Sequence, residues 1–301
     1  MDFGKAENLE LVDFTLPDDH EATDKLLATL KKKKKKETKV YVGCAKWGIK
    51  EWIGKIYPPK TKEKDFREYY LKQYNSLELN PTHYRTPSAL QVKSWREGAD
   101  KDFKFCPKFP QVISHMKRLK ECERETEIFY SAVKNFGTNL GTSFLQLPPN
   151  FSPKNFANLE KYVSSLPKDF DVCVEFRHPL WFSDVKVFDE TFSMLRENKI
   201  GSVITDTMGR RDVVHTRLTT PAAFVRFVGN NLHPSDFKRV DDWAAKFKRW
   251  INSGIDTIYF IMHMHDEKDS PELSSYSIDK FNKECGLDLK KPVFYNKNSG
   301  K

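Results

Sequence analysis

Residues 171–206, DVCVEFRHPLWFSDVKVFDETFSMLRENKIGSVITD, decide the fold. An apolar run at 171–176 gives way to His178 and Pro179. Val185, Phe188, Phe192 and Leu195 follow at spacings of three and four, which puts one apolar stripe along a helix. Asp184 stands just before them, where an N-cap carboxylate accepts from the unpaired amides of a first turn. A second apolar run closes the stretch at 201–206. Strand, one-sided helix and strand make a βαβ unit, the building block of a parallel sheet.

The same alternation repeats on both sides. Strands are expected at 40–44, 76–80, 103–108, 142–147, 171–176, 201–206, 223–228 and 257–263. Helical spacing recurs at Phe156, Leu159, Val163 and Leu166, and at Trp243, Phe247, Trp250 and Ile251. Ser235 occupies an N-cap position, and Gly254 that of a glycine just past a helix end. Eight alternations over about 250 residues are the count of a closed (β/α)8 TIM barrel of the α/β class. An open doubly wound sheet would be expected to carry Gly-x-Gly-x-x-Gly after its first strand, and no such motif follows residue 44. The barrel domain is therefore expected over 39–301.

Residues 1–38 read as an N-terminal extension. An acidic stretch with Leu9, Leu11, Val12, Phe14 and Leu16 leads to helical spacing around 24–30 and then to six lysines at 31–36. Like charges packed so closely repel and stay hydrated, so the run reads as a solvated linker rather than a polyanion or membrane contact. The apolar residues upstream imply that the extension docks, while the barrel is expected to fold without it.

The chain carries 51 Lys and Arg against 42 Asp and Glu; nine of each sign in residues 1–39 cancel, leaving 42 against 33 in residues 40–301. A basic globular part favours anionic ligands, small molecule or nucleic acid, without saying which. No run is long and apolar enough for a membrane helix, and the first residues show neither a basic nor an apolar leader segment. Cys44, Cys106 and Cys173 lie in strand candidates and no C-x-x-C occurs, as suits buried reduced thiols. A cytoplasmic protein is expected.

The strand ends resemble a known family. Gly43-Cys-Ala-Lys-Trp47-Gly48, then Glu78-Leu-Asn80-Pro-Thr-His-Tyr84-Arg-Thr-Pro87-Ser88, then Phe105-Cys-Pro-Lys108 with Ser114-His115, follow in order. Phe144-Leu-Gln146-Leu-Pro148-Pro149 and Val174-Glu175-Phe-Arg177-His178-Pro179 with Trp181-Phe182 complete the set. They are similar to the motifs of the YecE-like family, a domain-of-unknown-function family, over roughly residues 40–285. The resemblance implies a TIM barrel and transfers no reaction. The family's barrel also looks like those of the endonuclease IV and xylose isomerase group, an analogy of fold alone. This chain departs from the commoner pattern in three places: His263-Met-His265-Asp266-Glu267 where many members carry an Asn-Asn pair, Gly209-Arg210-Arg211-Asp212 after the sixth strand, and the extension.

Barrels build their sites where strands end and loops begin. There stand Glu78 and Asn80, Lys108, Gln146, Glu175 and Arg177, and Asp206, with Arg226 inside the seventh strand and His263 closing the eighth. Period-two alternation puts Glu78 with Asn80, and Glu175 with Arg177, on shared faces. Buried charges must be paired, so these residues fit either a site or a structural layer such as Lys108 with Glu175. Glu175 and Asp206, on neighbouring strands, are the expected acid–base pair, with Lys108 and Glu78 beside them. Glu78 and Glu175 lie three strands apart, too far for the ~5–5.5 Å separation of a retaining glycosidase. Lys108, Arg177 and Arg226 are expected to meet an anion, for which arginine offers a planar fork.

Asn230, in the Gly229-Asn230-Asn231 turn, sits where barrels often place a phosphate loop. His178 reads as a ligand contact or as a residue fixing its loop, and His83 and His115 carry the same two readings. Trp47, Tyr84 and Trp181 read as an aromatic wall for a base or sugar, or as packing. His263 and His265, with Asp206, Asp266 and Glu267, form the alternative metal set; without an H-E-x-x-H motif no obligatory metal or cofactor is expected. The leading expectation is an enzyme acting by acid–base chemistry on a phosphorylated or otherwise anionic substrate. A nucleic-acid-binding or repair-like barrel and a non-catalytic ligand-binding barrel are the alternatives.

Overall fold

The structure, a computed structural model, describes residue 4, residues 8–32 and residues 37–295. Helix α1 (Glu21–Lys31) precedes the first strand, β1 (Lys39–Cys44). The chain continues through α2 (Phe66–Gln73), β2 (Ser76–Leu79), the short α3 (Pro81–Tyr84), α4 (Ala89–Arg96), β3 (Lys104–Pro107) and α5 (Glu123–Val133). Next come β4 (Ser143–Gln146), α6 (Phe156–Ser165), β5 (Val172–Glu175), the short α7 (Leu180–Ser183), α8 (Val185–Glu197) and β6 (Gly201–Asp206). The last elements are β7 (Ala222–Gly229), α9 (Pro234–Asn252), β8 (Thr257–Met264) and α10 (Ser270–Cys285). Every expected strand lies within one residue of its observed ends.

All strand pairs are parallel, in the order β3-β2-β1-β8-β7-β6-β5-β4. The two free edges meet through isolated parallel bridges, Phe105 with Leu140 and Lys108 with Phe144. There Gly141 N donates to Phe105 O at 2.7 Å and Phe109 N to Phe144 O at 3.0 Å. The sheet is thus a nearly closed TIM barrel whose β3–β4 seam is its thinnest part. Between β1 and β2 the backbones approach so closely that a Cβ on Gly43 would fall 2.0 Å from the Ser76 carbonyl oxygen, which admits no side chain there.

Alternation along the strands separates two cores. Tyr41, Cys106, Phe144, Cys173, Val203, Phe224, Tyr259 and Ile261 point inward and fill the barrel. The opposite phase faces the helices, where Trp243, Phe247 and Trp250 of α9 pack with Phe260 of β8. Each such fully buried side chain is worth about 1.5–3 kcal/mol of transfer free energy. Burial pushes the Cys44, Cys106 and Cys173 thiols up, and all three are free thiols. Asp184 caps α8 by accepting from the amides of Lys186 at 2.9 Å and Val187 at 3.1 Å. Ser235 does not cap α9: Pro234 opens the helix, so the cap falls on His233, whose Nδ1 accepts from the Ser235 amide at 3.3 Å. Gly254 follows α9 with φ +84°, a left-handed conformation that glycine takes without strain.

The described part of the extension lies on the barrel. Helix α1 turns Leu26, Leu27 and Leu30 into the outer core. Its buried Thr23 hydroxyl donates to Thr216 O at 3.0 Å and accepts from Leu218 N at 2.8 Å. Ahead of it the Asp19 carboxylate receives Lys246 at 3.1 Å, Arg249 at 2.8 Å and the Trp250 indole at 2.9 Å. Of the lysine run, Lys31 and Lys32 are exposed and residues 33–36 lie outside the described residues.

Candidate active site

Two residues beyond the apolar inner layer, the same strand phase turns polar. Cys106 is followed by Lys108, Phe144 by Gln146, Cys173 by Glu175 and Arg177, Val203 by Thr205, Phe224 by Arg226, and Ile261 by His263. Glu78 of β2 joins them. The result is a ring of buried polar side chains under the C-terminal mouth, where barrel sites are built.

Arg226 holds the centre. Its Nε and Nη2 donate to the two oxygens of Glu78, both at 2.8 Å, and its Nη1 donates to Glu175 at 2.6 Å. The guanidinium lies 5.2 Å from the centre of the Phe144 ring. Glu78 also accepts from the Asn80 amide at 3.0 Å and pairs with His263 Nε2 at 3.0 Å. Burial alone would raise its pKa, but Arg226 and His263 hold it well below the usual carboxylate range. Glu175 accepts from Arg177 Nε at 3.0 Å and Thr205 Oγ1 at 3.2 Å. Burial again raises its carboxyl; Arg177, Arg226 and Lys108 outweigh that and bring it to about 2. Both acids are therefore ionised and saturated with donors.

Lys108 is different. Its buried Nζ donates to Gln146 Oε1 at 2.9 Å and, among the described residues, has no carboxylate partner. Burial first, and Arg226 second, push its pKa down to about 8 against the pull of Glu78 and Glu175. Its backbone is pinned: Thr82 Oγ1 donates to Lys108 O at 2.7 Å, and Lys108 N donates to Leu79 O at 3.2 Å. Beside it the His83 and His115 rings meet edge to face at 5.0 Å. Burial and then Lys108 lower His83 to about 4; burial, Lys108, Arg177 and Arg118 lower His115. His83 Nδ1 pairs with Phe109 O at 2.7 Å and His115 Nδ1 with Ser114 Oγ at 2.8 Å. These groups all feel a positive field at the mouth.

Several expected members lie elsewhere. Asp206 does not face Glu175. Its neighbour Thr205 carries the inward phase, so Asp206 points out between β6 and α9. There it accepts from Arg239 at 3.0 Å and the Trp243 indole at 2.8 Å, and it pairs with Arg211. The expected acid–base pair is therefore not assembled. Trp181 is fully buried, donates to Phe151 O at 2.6 Å and packs on Phe176, so it is core and no wall. The Asn230 amide donates to Asp236 Oδ2 at 2.7 Å; an internal carboxylate already occupies the place a phosphate would take. His178 Nδ1 accepts from the Leu180 amide at 3.2 Å and fixes its own loop. Of the alternative metal set, His263 is engaged with Glu78, and no three His, Cys, Asp or Glu side chains converge among the described residues. Thr205 was missed because a strand threonine gives no signal, and Arg210, which donates to Arg177 O at 2.9 Å, because its loop has no period.

Trp47 and Tyr84 do share a surface. With Ala45 and Leu79 they line a cavity of about 420 Å³ in which Glu78 and Asn80 also stand.

A parallel barrel with a charged inner storey at its C-terminal mouth defines the class: a TIM-barrel protein with a candidate active site at that end. The chain belongs to the family described as "Protein of unknown function DUF72", whose family model matches residues 41–293. Proteins called "UPF0759 protein YecE" from Escherichia coli O157:H7 and strain K12 are each 28% identical over 252 residues, covering 78% of this chain and 89% of theirs. Crystal structures of DUF72 family proteins share the fold. That from Thermotoga maritima MSB8 has a TM-score of 0.64 at 24% identity, covering 83% of this chain and 100% of its own. That from Enterococcus faecalis V583 has a TM-score of 0.64 at 16% identity, covering 83% and 99%. No helix among the described residues is long and apolar enough to cross a membrane.

Proposed function

We propose that the mouth of this barrel binds a phosphorylated or otherwise anionic small molecule, and that Lys108 exchanges a proton with it. One observation carries the reading: a buried amine at a strand end, oriented by Gln146 and without a carboxylate partner among the described residues. An anion completes the pairing that such a charge otherwise lacks. The acid–base role falls to Lys108 and not to Glu175, because a catalytic pKa near working pH transfers protons best. Glu175, at about 2 and fully bonded, stays ionised and holds Arg177 and Arg226 in place. Arg177, Arg226 and Lys108 supply the field that draws the anion in, and His83, lowered to about 4, stays neutral beside them.

Titration of the full chain with phosphate monoesters across pH tests this. A ligand-induced rise in melting temperature is expected at pH 7, fading above about 8 as Lys108 loses its proton, and absent in K108M. A shift that persists unchanged at pH 9.5 or in K108M overturns the reading. Product formed by the wild type and not by K108M establishes the catalytic half, whereas binding without product removes that half and leaves an anion-binding barrel.

A further inference from the structure

The Trp47–Tyr84 cavity has features the anion reading does not use. It opens beside the cationic mouth, since Leu79 and Asn80 of its lining belong to the strand end that carries Lys108 on its neighbour. Tyr84 is 74% exposed and stands edge-on to His83 at 5.4 Å, next to His115. Trp47 is held from behind, its ring against Trp95 at 6.4 Å and its carbonyl accepting from Tyr57 Oη at 2.7 Å. A fixed ring presents a stacking face with little ordering cost.

The polar groups in this cavity are nearly all spent. Glu78 accepts from Asn80, Arg226 and His263 through both oxygens. Asn80 Nδ2 donates twice, to Glu78 at 3.0 Å and Ala45 O at 3.2 Å. That leaves Asn80 Oδ1 open as an acceptor in a largely apolar space, together with the Trp47 indole N–H and the Tyr84 hydroxyl, none of which has a hydrogen-bond partner among the described residues. Lys46 is exposed on its rim. The complement of this surface is a flat, mostly apolar ring that carries an N–H donor and hydrogen-bond acceptors at its edge, attached to an anion.

We infer that the cavity is a base pocket and that the ligand of the mouth is a nucleotide. The heteroaromatic ring lies against Trp47 and Tyr84, a ring amino or imino group donates to Asn80 Oδ1, and the phosphate reaches Lys108 and Arg177. This rests on the anion reading for the phosphate but not for the base, so the two can fail separately. The base can come from a free mononucleotide or from one residue of a single strand, and the chemistry of recognition is the same.

Isothermal titration of the full chain with adenosine and uridine monophosphates, the two nucleosides, ribose 5-phosphate and a short oligonucleotide tests it. The monophosphates are expected to bind at least about fivefold tighter than ribose 5-phosphate, the scale of one stacked base. Trp47→Ala should bring them to the ribose 5-phosphate level. Because Trp47→Ala can disturb packing, Gly48→Phe gives an independent block: Gly48 lines the cavity and a Cβ there meets nothing within 4 Å. Ribose 5-phosphate affinity should be unchanged in both variants. Equal binding of mononucleotides and ribose 5-phosphate overturns the base pocket while the anion reading stands. Nucleoside binding that is lost in G48F, without any phosphate effect, keeps the base pocket and removes the anion reading. An oligonucleotide that binds tighter than the mononucleotides, and loses the same factor in G48F, keeps the pocket and names a strand as the source; insensitivity of all ligands to G48F overturns it.

Discussion

Two buried charge networks of the same design lie on opposite faces of the strands. Inside the barrel one guanidinium, Arg226, sits between Glu78 and Glu175; outside it another, Arg239, sits between Asp206 and Asp236. The outer network is sealed. Trp243 and Arg211 complete Asp206, and Phe227 and Phe14 flank the Arg239 guanidinium at 4.2 and 5.4 Å. The inner network continues upward into Arg177, Lys108 and the His83–His115 pair, where Lys108 has no carboxylate partner among the described residues. An arginine between two carboxylates is thus a way of burying charge on either face. What separates a candidate site from a strut is the buried Lys108 amine above it, held by Gln146 and by no carboxylate among the described residues.

Removing either arginine should produce the largest effects and test whether the networks are alike in stability. Arg239→Met and Arg226→Met each leave two carboxylates in a dry place and should each cost about 3–5 kcal/mol in urea unfolding. The comparison predicts a split in binding: phosphate affinity survives in R239M and falls in R226M. Equal loss in both would join the networks into one functional unit.

The cover of the outer face comes next. Leu27 is 3% exposed and packs α1 on the barrel, so Leu27→Ala should cost about 2–4 kcal/mol. A chain beginning at Thr38 should unfold at lower urea than the full chain. If both match the wild type, the extension only rests on the barrel and the outer network is sealed without it.

Glu175→Gln sharpens the inner side. Its carboxyl is held at about 2 in the fold, against 4.5 for the free group, so its contribution is full above about 4.5 and is lost as pH falls toward 2. The wild type should lose roughly 2–3 kcal/mol across that window that E175Q does not lose. Parallel acid profiles for the two proteins would mean that Glu175 is not held by its arginines.

Lys108 should give an effect of similar size at the alkaline end. Its folded pKa of about 8 lies below the ordinary lysine value of 10.5, so between these the unfolded chain binds the extra proton and stability rises with pH. A gain of roughly 2–3 kcal/mol from pH 8 to 10.5 is expected in the free protein and should be missing in K108M. A saturating anion should move the onset upward.

The site was partly legible. Charges at strand ends pointed to Glu78, Lys108, Glu175, Arg177 and Arg226, which the structure brings together, because Glu175 and Arg177 share the phase of the inward-facing Cys173. Asp206 misled for a physical reason. Strands of a parallel barrel are apolar on both faces, so in Gly201–Asp206 the pattern does not say whether Thr205 or Asp206 points inward. Trp181 and Asn230 misled similarly: a strand-end tryptophan and a glycine-asparagine turn look alike whether they meet a ligand or, as here, Phe151 and Asp236.

By itself the sequence determined the eight strands, three of the helices between them and hence the barrel, because local apolar period and capping residues are short-range properties of the chain. It also determined which strand ends carry charge. Tertiary structure alone decided which of those charges meet. The phase of each strand is set by its register with two neighbours and by the helices that cover it, so Arg226 found Glu78 across 148 residues of chain, Asp206 was turned toward α9, and Lys108 was left facing the mouth without an acid partner among the described residues.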